Sequence, residues 1–154
     1  MIKLCGALLV IVSFGAIGIV LGRNLNRHTE ELRQFQFGLA ALETEIVYAL
    51  TPLPQALIIV ANQTRGVVAD FFSAVSRELI DGQGRTAGEA WTRTLAEKSP
   101  YLLLTEGEFG ILDQFGQGLG SSDREDQLKR LTSVKMQLAA REKAAETERS
   151  RLQK

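Results

Sequence analysis

The side chains that could do chemistry are few, and they limit the classes of function from the outset. The sequence has one histidine, His28, and one cysteine, Cys5. A structural zinc site takes about four Cys, His or carboxylate ligands, and a hydrolytic triad sets a nucleophile beside a histidine. Cys5 lies in an apolar run, where we expect an inert thiol, and His28 lies among polar neighbours, where we expect an ordinary interfacial side chain. The sequence also lacks a phosphate-binding loop and a dinucleotide fingerprint, so we predict no metal and no cofactor.

Carboxylates are the remaining route to catalysis. Small helical folds can cleave glycans with a glutamate whose pKa is raised, and Glu43 and Glu45 are the candidates. Glu43 follows Leu42 and should face solvent, whereas Glu45 precedes Ile46 and belongs at the edge of the buried face. A membrane-tethered hydrolase that acts on cell-wall glycan through Glu45 stays open as an alternative. Our prediction is that the protein is not an enzyme.

Charge and composition narrow the classes further. The chain has 154 residues, of which 18 are basic and 18 acidic, so its formal net charge is zero. A nucleic-acid binder needs a basic excess to displace counterions from phosphates. At 45% apolar residues the chain is too hydrophobic to be a disordered tail. We therefore expect an ordered protein that does not bind nucleic acid.

The apolar residues are concentrated at the start of the chain. Leu4–Gly22 contains no charged residue, and about 20 apolar residues suffice to span a bilayer core of roughly 30 Å. This pattern predicts a transmembrane helix. Arg23, Arg27 and Arg33 follow it, so the positive-inside rule places the rest of the chain in the cytoplasm. We predict an anchor and linker over 1–28 and a cytosolic domain over 29–154.

The remainder of the sequence has the 3.6-residue period of helices. We predict an all-α bundle of about six helices, in which the first carries a seam of Leu32, Phe35, Leu39, Leu42, Ile46 and Ala49. This helix should be nearly continuous with the apolar segment and should end before Thr51-Pro52-Leu53-Pro54, since proline stops one helix and suits the start of the next. The last helix should run from Asp123 to about Leu152, with a charged end that either projects from the bundle as a solvated helix or frays.

Three capping boxes mark helix starts. The spacing S/T-x-x-E pairs Thr86 with Glu89, Thr105 with Glu108 and Ser122 with Glu125. In such a box two side chains satisfy two backbone amides that have no partner inside the helix. These positions predict the starts of the last three helices.

Several stretches, taken in order, resemble the stage III sporulation protein AB family of endospore-forming bacteria. The matching residues are Lys3 with Gly6-Ala7-Leu8-Leu9, Leu42–Ile46 with Tyr48, Thr51–Leu57 and Phe115–Gln127. The resemblance implies a component of the assembly that links mother cell and forespore. It implies a helical domain similar to the cytoplasmic domains of platform proteins in type II secretion and type IV pilus systems. Members of the family carry a second apolar span, so the resemblance also implies a second transmembrane helix after residue 154.

The resemblance, with the scarcity of chemical groups, favours a scaffold. It implies that the protein sits at the mother-cell membrane facing the forespore, contacts lipid and other stage III channel proteins, and couples a secretion-type ATPase, protein AA, to the channel. The long first and last helices would transmit the contact. Candidate contact residues lie at two helix ends: Glu45, Pro52, Pro54, Asp123, Arg124 and Asp126. A plain module for self-association stays open as an alternative, and we expect no small-molecule substrate.

Overall fold

Helices make up nearly all of the described chain. This computed structural model describes residues 2–82, 84–120 and 123–152, and for residues 14–25 and 124 it describes the backbone alone. The elements, in chain order, are α1 (Ile2–Glu43), a π-helix (Thr44–Tyr48), α2 (Leu53–Gln63), α3 (Gly66–Asp81), α4 (Ala87–Lys98), a 3₁₀ turn (Ser99–Tyr101), α5 (Glu106–Gln117) and α6 (Arg124–Leu152). The predicted all-helical class is confirmed, and so is the continuity of the apolar segment with the first helix of the bundle.

The predicted transmembrane helix over Leu4–Gly22 is wrong. Among the helices of the described residues, none is both long enough and apolar enough to cross a membrane. The side chains of residues 14–25, on which the rest of that prediction depended, lie outside the described residues.

The core forms where the apolar stripes of the helices meet. Leu32, Phe35, Leu39 and Leu42 of α1 are fully buried, as the seam predicted, but Ile46 is only half-buried and Ala49 is exposed. The cause is the π-helix, whose hydrogen bonds span one residue more than those of an α-helix. Since each residue turns the helix by about 100°, the extra residue puts Val47 in the core and leaves Ile46 at its edge.

Helices α1 and α6 lie antiparallel, and polar side chains join them along their length. The contacts are those of Lys135 with Glu43, Glu142 with Arg33 at 2.6 Å, and Arg149 with Asn26 at 2.9 Å. The charged end of α6 therefore packs along α1 and does not project, which corrects the prediction. Surface ion pairs contribute at most about 1 kcal/mol each, so the pair of Arg33 with Glu142 fixes the alignment of the two helices more than it stabilises the fold.

Two of the three predicted capping boxes are confirmed. Thr86 accepts a hydrogen bond from the backbone N–H of Glu89, and Thr105 accepts one from that of Glu108; in both cases the glutamate returns the contact. The third box depends on Ser122, which lies outside the described residues. At that helix start the Asp123 carboxylate accepts from the backbone N–H of Asp126 at 2.9 Å.

Trp91 of α4 is the largest fully buried side chain, and a glycine of α5 makes room for it. The Trp91 ring makes edge contacts with Phe71 and Phe115 at centroid distances of 4.8 and 5.1 Å. Its indole N–H donates to the Leu112 carbonyl at 2.9 Å. A Cβ at Gly116 would lie 2.0 Å from the indole Cδ1 atom, so any side chain there would push α4 and α5 apart. The glycines in the Phe115–Gly120 stretch thus serve packing.

We predict opposite effects for two alanine substitutions in α5. Gly116→Ala should lower the free energy of unfolding by about 1–3 kcal/mol, the usual cost of overpacking a core. Gly110→Ala should raise it by up to about 1 kcal/mol, because alanine favours a helix and nothing lies within 4 Å of the added Cβ. Urea denaturation of both variants measures the two effects. Equal stability of the two variants would contradict the packing role of Gly116.

Candidate functional site

The junction between α1 and α2 holds a strained residue. Leu50 has φ of +56°, the left-handed region that side chains other than glycine rarely occupy. Two hydrogen bonds hold the residues around it. The Thr51 backbone N–H donates to the Glu45 carbonyl at 2.8 Å, and the Thr51 hydroxyl donates to the Glu45 carboxylate at 2.7 Å. Glu45, predicted as a contact residue, therefore closes the π-helix and fixes the turn that presents Leu50.

The two predicted prolines begin α2. Pro52 is the exposed N-cap residue, and Pro54, in the first turn, is half-buried. The Pro54 carbonyl accepts a hydrogen bond from the Ser76 hydroxyl of α3 at 2.8 Å. Pro52 therefore belongs to the surface of this end of the bundle, while Pro54 helps to attach α2 to α3.

The second predicted region is the start of α6. Asp123 is exposed and caps the helix, and Asp126 lies 3.3 Å from the Arg130 guanidinium. Arg124 begins α6, and its side chain lies outside the described residues. These residues contribute one exposed carboxylate and one paired carboxylate to this end of the bundle.

The structure brings both predicted regions to one groove of about 300 Å³. One wall consists of Ile46, Leu50, Thr51 and Leu53, and the other of Leu119, Gly120 and Gln127. Glu45 borders the first wall through its bond to Thr51. Asp123 lies one helical turn before Gln127 and so borders the second wall. None of the six predicted residues lines the groove itself, but four of them are direct sequence neighbours of lining residues: Glu45, Pro52, Pro54 and Asp126.

Sequence reasoning missed the residues that form the groove walls. Leu50 was missed because nothing in a leucine signals a left-handed backbone, which glycine and asparagine adopt far more readily. Ile46 was assigned to the core because an uninterrupted α-helical period was assumed. The aromatic Tyr48, which is 69% exposed, lies between them in sequence.

A cluster of polar side chains joins α1 to α5, far from the groove. His28 Nε2 lies 2.6 Å from a carboxylate oxygen of the buried Glu108, so the lone histidine is an internal contact and not an ordinary interfacial side chain. The Leu103 backbone N–H donates to the buried Glu31 carboxylate at 2.7 Å. Burial raises the pKa of Glu31 above 4.5; the Leu103 hydrogen bond and the nearby Arg27 and His28 oppose the rise.

The described residues offer a surface for contact. No group of three or more His, Cys, Asp or Glu side chains within them is placed to hold a metal ion. Glu43, expected to face solvent, is half-buried and pairs with Lys135. The Glu45 carboxylate accepts the Thr51 hydroxyl bond that closes the turn. The groove combines apolar walls with polar edges, which is the usual composition of a protein interface.

We predict that glycine at position 50 stabilises the protein. Leu50→Gly removes the left-handed strain and should raise the free energy of unfolding by up to about 1 kcal/mol. Ala49→Gly is the matched control, since Ala49 is exposed and has a right-handed φ of −86°. It should lower that free energy by about 0.5–1 kcal/mol. Thermal and urea unfolding measure both, and a loss of stability in both variants would contradict strain at Leu50.

We also predict a pH-dependent effect of Glu31→Gln. Because the folded-state pKa of Glu31 is raised, its contribution to stability is fully present below pH 4.5 and is lost as the pH rises through the folded-state pKa. Glutamine can still accept from the Leu103 N–H but never ionises. The stability of the variant relative to the parent should therefore increase from pH 4 to pH 7, as urea titrations at both pH values would show. Glu31→Ala, which removes the acceptor, should destabilise at both; a Gln variant that loses relative stability toward pH 7 contradicts the assignment.

Comparison with known proteins identifies the family. The family model described as Stage III sporulation protein AB matches residues 3–154. Stage III sporulation protein AB of Bacillus subtilis (strain 168) is 33% identical over 154 residues, which cover 100% of this chain and 90% of that protein.

A solved structure carries the same description. Stage III sporulation protein AB (SpoIIIAB) superposes with a TM-score of 0.76 at 35% identity, covering 80% of this chain and 97% of that one. The resemblance drawn from the sequence is thereby confirmed, together with a role in sporulation. The chain belongs to the stage III sporulation protein AB family.

Proposed function

We propose that the protein is a non-enzymatic scaffold of the stage III sporulation complex between mother cell and forespore. In this role it couples a cytoplasmic secretion-type ATPase, protein AA, to the channel at the mother-cell membrane that faces the forespore. The observation that carries the proposal is the convergence of the π-helix, the α1–α2 junction and the start of α6 on one groove. Two regions far apart in sequence, each predicted to make contacts, meet at one end of the bundle.

Retained strain supports a binding role for this end. A non-glycine residue in a left-handed conformation costs of the order of 1–2 kcal/mol, and such residues cluster at ligand clamps and switch regions. Leu50 is 66% exposed, so its side chain recovers little of that cost by burial within the chain. Burial of the Leu50 side chain against another molecule would offset that cost.

The long helices support a coupling role. Helix α1 has 42 residues and is therefore about 63 Å long. The groove lies at its C-terminal end, and α6 runs back along it with polar contacts at three levels. A force applied at the groove would pass along this pair of helices to its far end, toward the other components of the complex.

Catalysis by Glu45 has less support. A catalytic acid would need its proton available to a substrate, whereas the Glu45 carboxylate accepts the Thr51 hydroxyl and helps to end a helix. That contact explains the residue without a reaction. We therefore favour contact over hydrolysis.

The protein offers a matched pair of tyrosines to test the proposal. Tyr48 ends the π-helix, between the groove residues Ile46 and Leu50 in sequence, and Tyr101 lies in the 3₁₀ turn, two residues before Leu103, whose N–H reaches Glu31 of α1. The two are similarly exposed, at 69% and 66%. Glu31 of α1 and Ile46 of the π-helix are about 22 Å apart along the helix axis, so Tyr101 is outside a footprint centred on the groove.

We predict that the purified chain binds protein AA in the presence of ATP and lipid, measured by biolayer interferometry. Exposed aromatic anchors often contribute 2 kcal/mol or more to a protein interface, so Tyr48→Ala should weaken binding at least tenfold. Tyr101→Ala should change it less than threefold. Absence of binding, or equal losses in the two variants, would count against the scaffold and its contact site.

A further inference from the structure

The groove has the size of one anchoring side chain or a close pair of them. Its volume of about 300 Å³ corresponds to roughly ten water molecules at 30 Å³ each. It lies at the lower end of the range for binding pockets. Four of its lining residues are aliphatic: Ile46, Leu50, Leu53 and Leu119. An aromatic side chain, or two aliphatic ones, would fill it and remove water from these walls.

Leu50 distinguishes this groove from an ordinary surface depression. Its backbone conformation suits glycine, yet the residue is a leucine whose side chain is mostly exposed. Within the chain, the leucine side chain adds strain without matching burial. A bound apolar group would bury the Leu50 side chain and turn that unfavourable position into a favourable contact.

The carboxylates beside the groove differ in how they are neutralised. Glu43 and Asp126 pair with Lys135 and Arg130. The Glu45 carboxylate accepts from a neutral hydroxyl, and Asp123 accepts from a backbone N–H. Hydrogen bonds from neutral donors leave the negative charge in place, and among the described side chains no cation pairs with the Glu45 or the Asp123 carboxylate.

We propose that the groove binds the apolar anchor of an amphipathic helix that carries lysine or arginine beside that anchor. The aliphatic walls would take the anchor, and Glu45 and Asp123 would attract the flanking cations from either side. This inference rests on the proposed function, since it names the chemistry of the segment through which the ATPase would dock. The inference can be tested without that ATPase.

Two fluorescent model peptides test the proposal on the full chain. Both have the same helical apolar face of leucine and phenylalanine, and the flanking polar positions are lysine in one and glutamate in the other. Fluorescence anisotropy should show the lysine peptide binding at least tenfold tighter than the glutamate peptide. Its affinity should fall as salt is raised, since salt screens exposed charges.

Variants of the protein separate the apolar contribution to peptide binding from the electrostatic contribution. Leu50→Gly should weaken the lysine peptide at least tenfold although it removes strain from the fold, while Ala49→Gly should leave the affinity within threefold. The double variant Glu45→Gln with Asp123→Asn should bring the two peptides within threefold of each other. Both replacements keep the hydrogen bonds of the originals, since glutamine can accept from Thr51 and asparagine caps helices as well as aspartate does.

Each possible result either supports or overturns the proposal. Equal binding of the two peptides, no binding of either, or unchanged affinity in Leu50→Gly would overturn the proposal. A dimer in sedimentation that dissociates on Leu50→Gly would assign the groove to a second copy and overturn it as well. If the peptides behave as expected but protein AA does not bind, the proposed groove chemistry is supported and the proposed function fails. If protein AA binds Leu50→Gly normally and the peptides show no preference, the proposed function is supported and the groove chemistry fails.

Discussion

The five-residue π-helix at the end of α1 is the constraint on which the groove end of the molecule depends. It adds one residue to a helical turn, which places Val47 in the core and Ile46 at the groove. It also brings the chain to Thr51, whose two bonds to Glu45 stabilise the left-handed Leu50. An uninterrupted α-helix would bury Ile46 and remove one of the four residues of the first groove wall. Short π-helical segments of this kind occur frequently at functional sites.

The pairing of α1 with α6 determines where the groove lies. Because the two helices are antiparallel, the start of α6 comes beside the end of α1, and Gln127 faces the residues that follow the π-helix. The polar contacts between Glu142 and Arg33, and between Arg149 and Asn26, continue this alignment away from the groove. The charged residues near the end of α6, which were expected from the sequence to extend into solvent, therefore set the alignment of α6 along α1.

Sequence reasoning predicted the parts of the fold governed by local rules. The buried stripe from Leu32 to Leu42 follows the helical period, and the boxes at Thr86 and Thr105 follow the demand of helix ends for hydrogen-bond partners. It failed where a tertiary contact or a rare backbone state decided the outcome. The pairing of His28 with Glu108 joins residues 80 apart in sequence, and neither the π-helix nor the conformation of Leu50 leaves a pattern in composition or spacing.

The segment that carries the strongest resemblance to the family also shapes the groove. Within Phe115–Gln127, Gly116 admits the Trp91 ring, and a Cβ at Gly118 would lie 2.1 Å from the Arg130 guanidinium. These close approaches hold the end of α5 against α4 and α6. Leu119 and Gly120 follow directly and line the groove, and Gly120 has a left-handed φ of +78°. The glycines of this segment therefore act through close packing and backbone shape, and through them the segment sets the second wall of the groove.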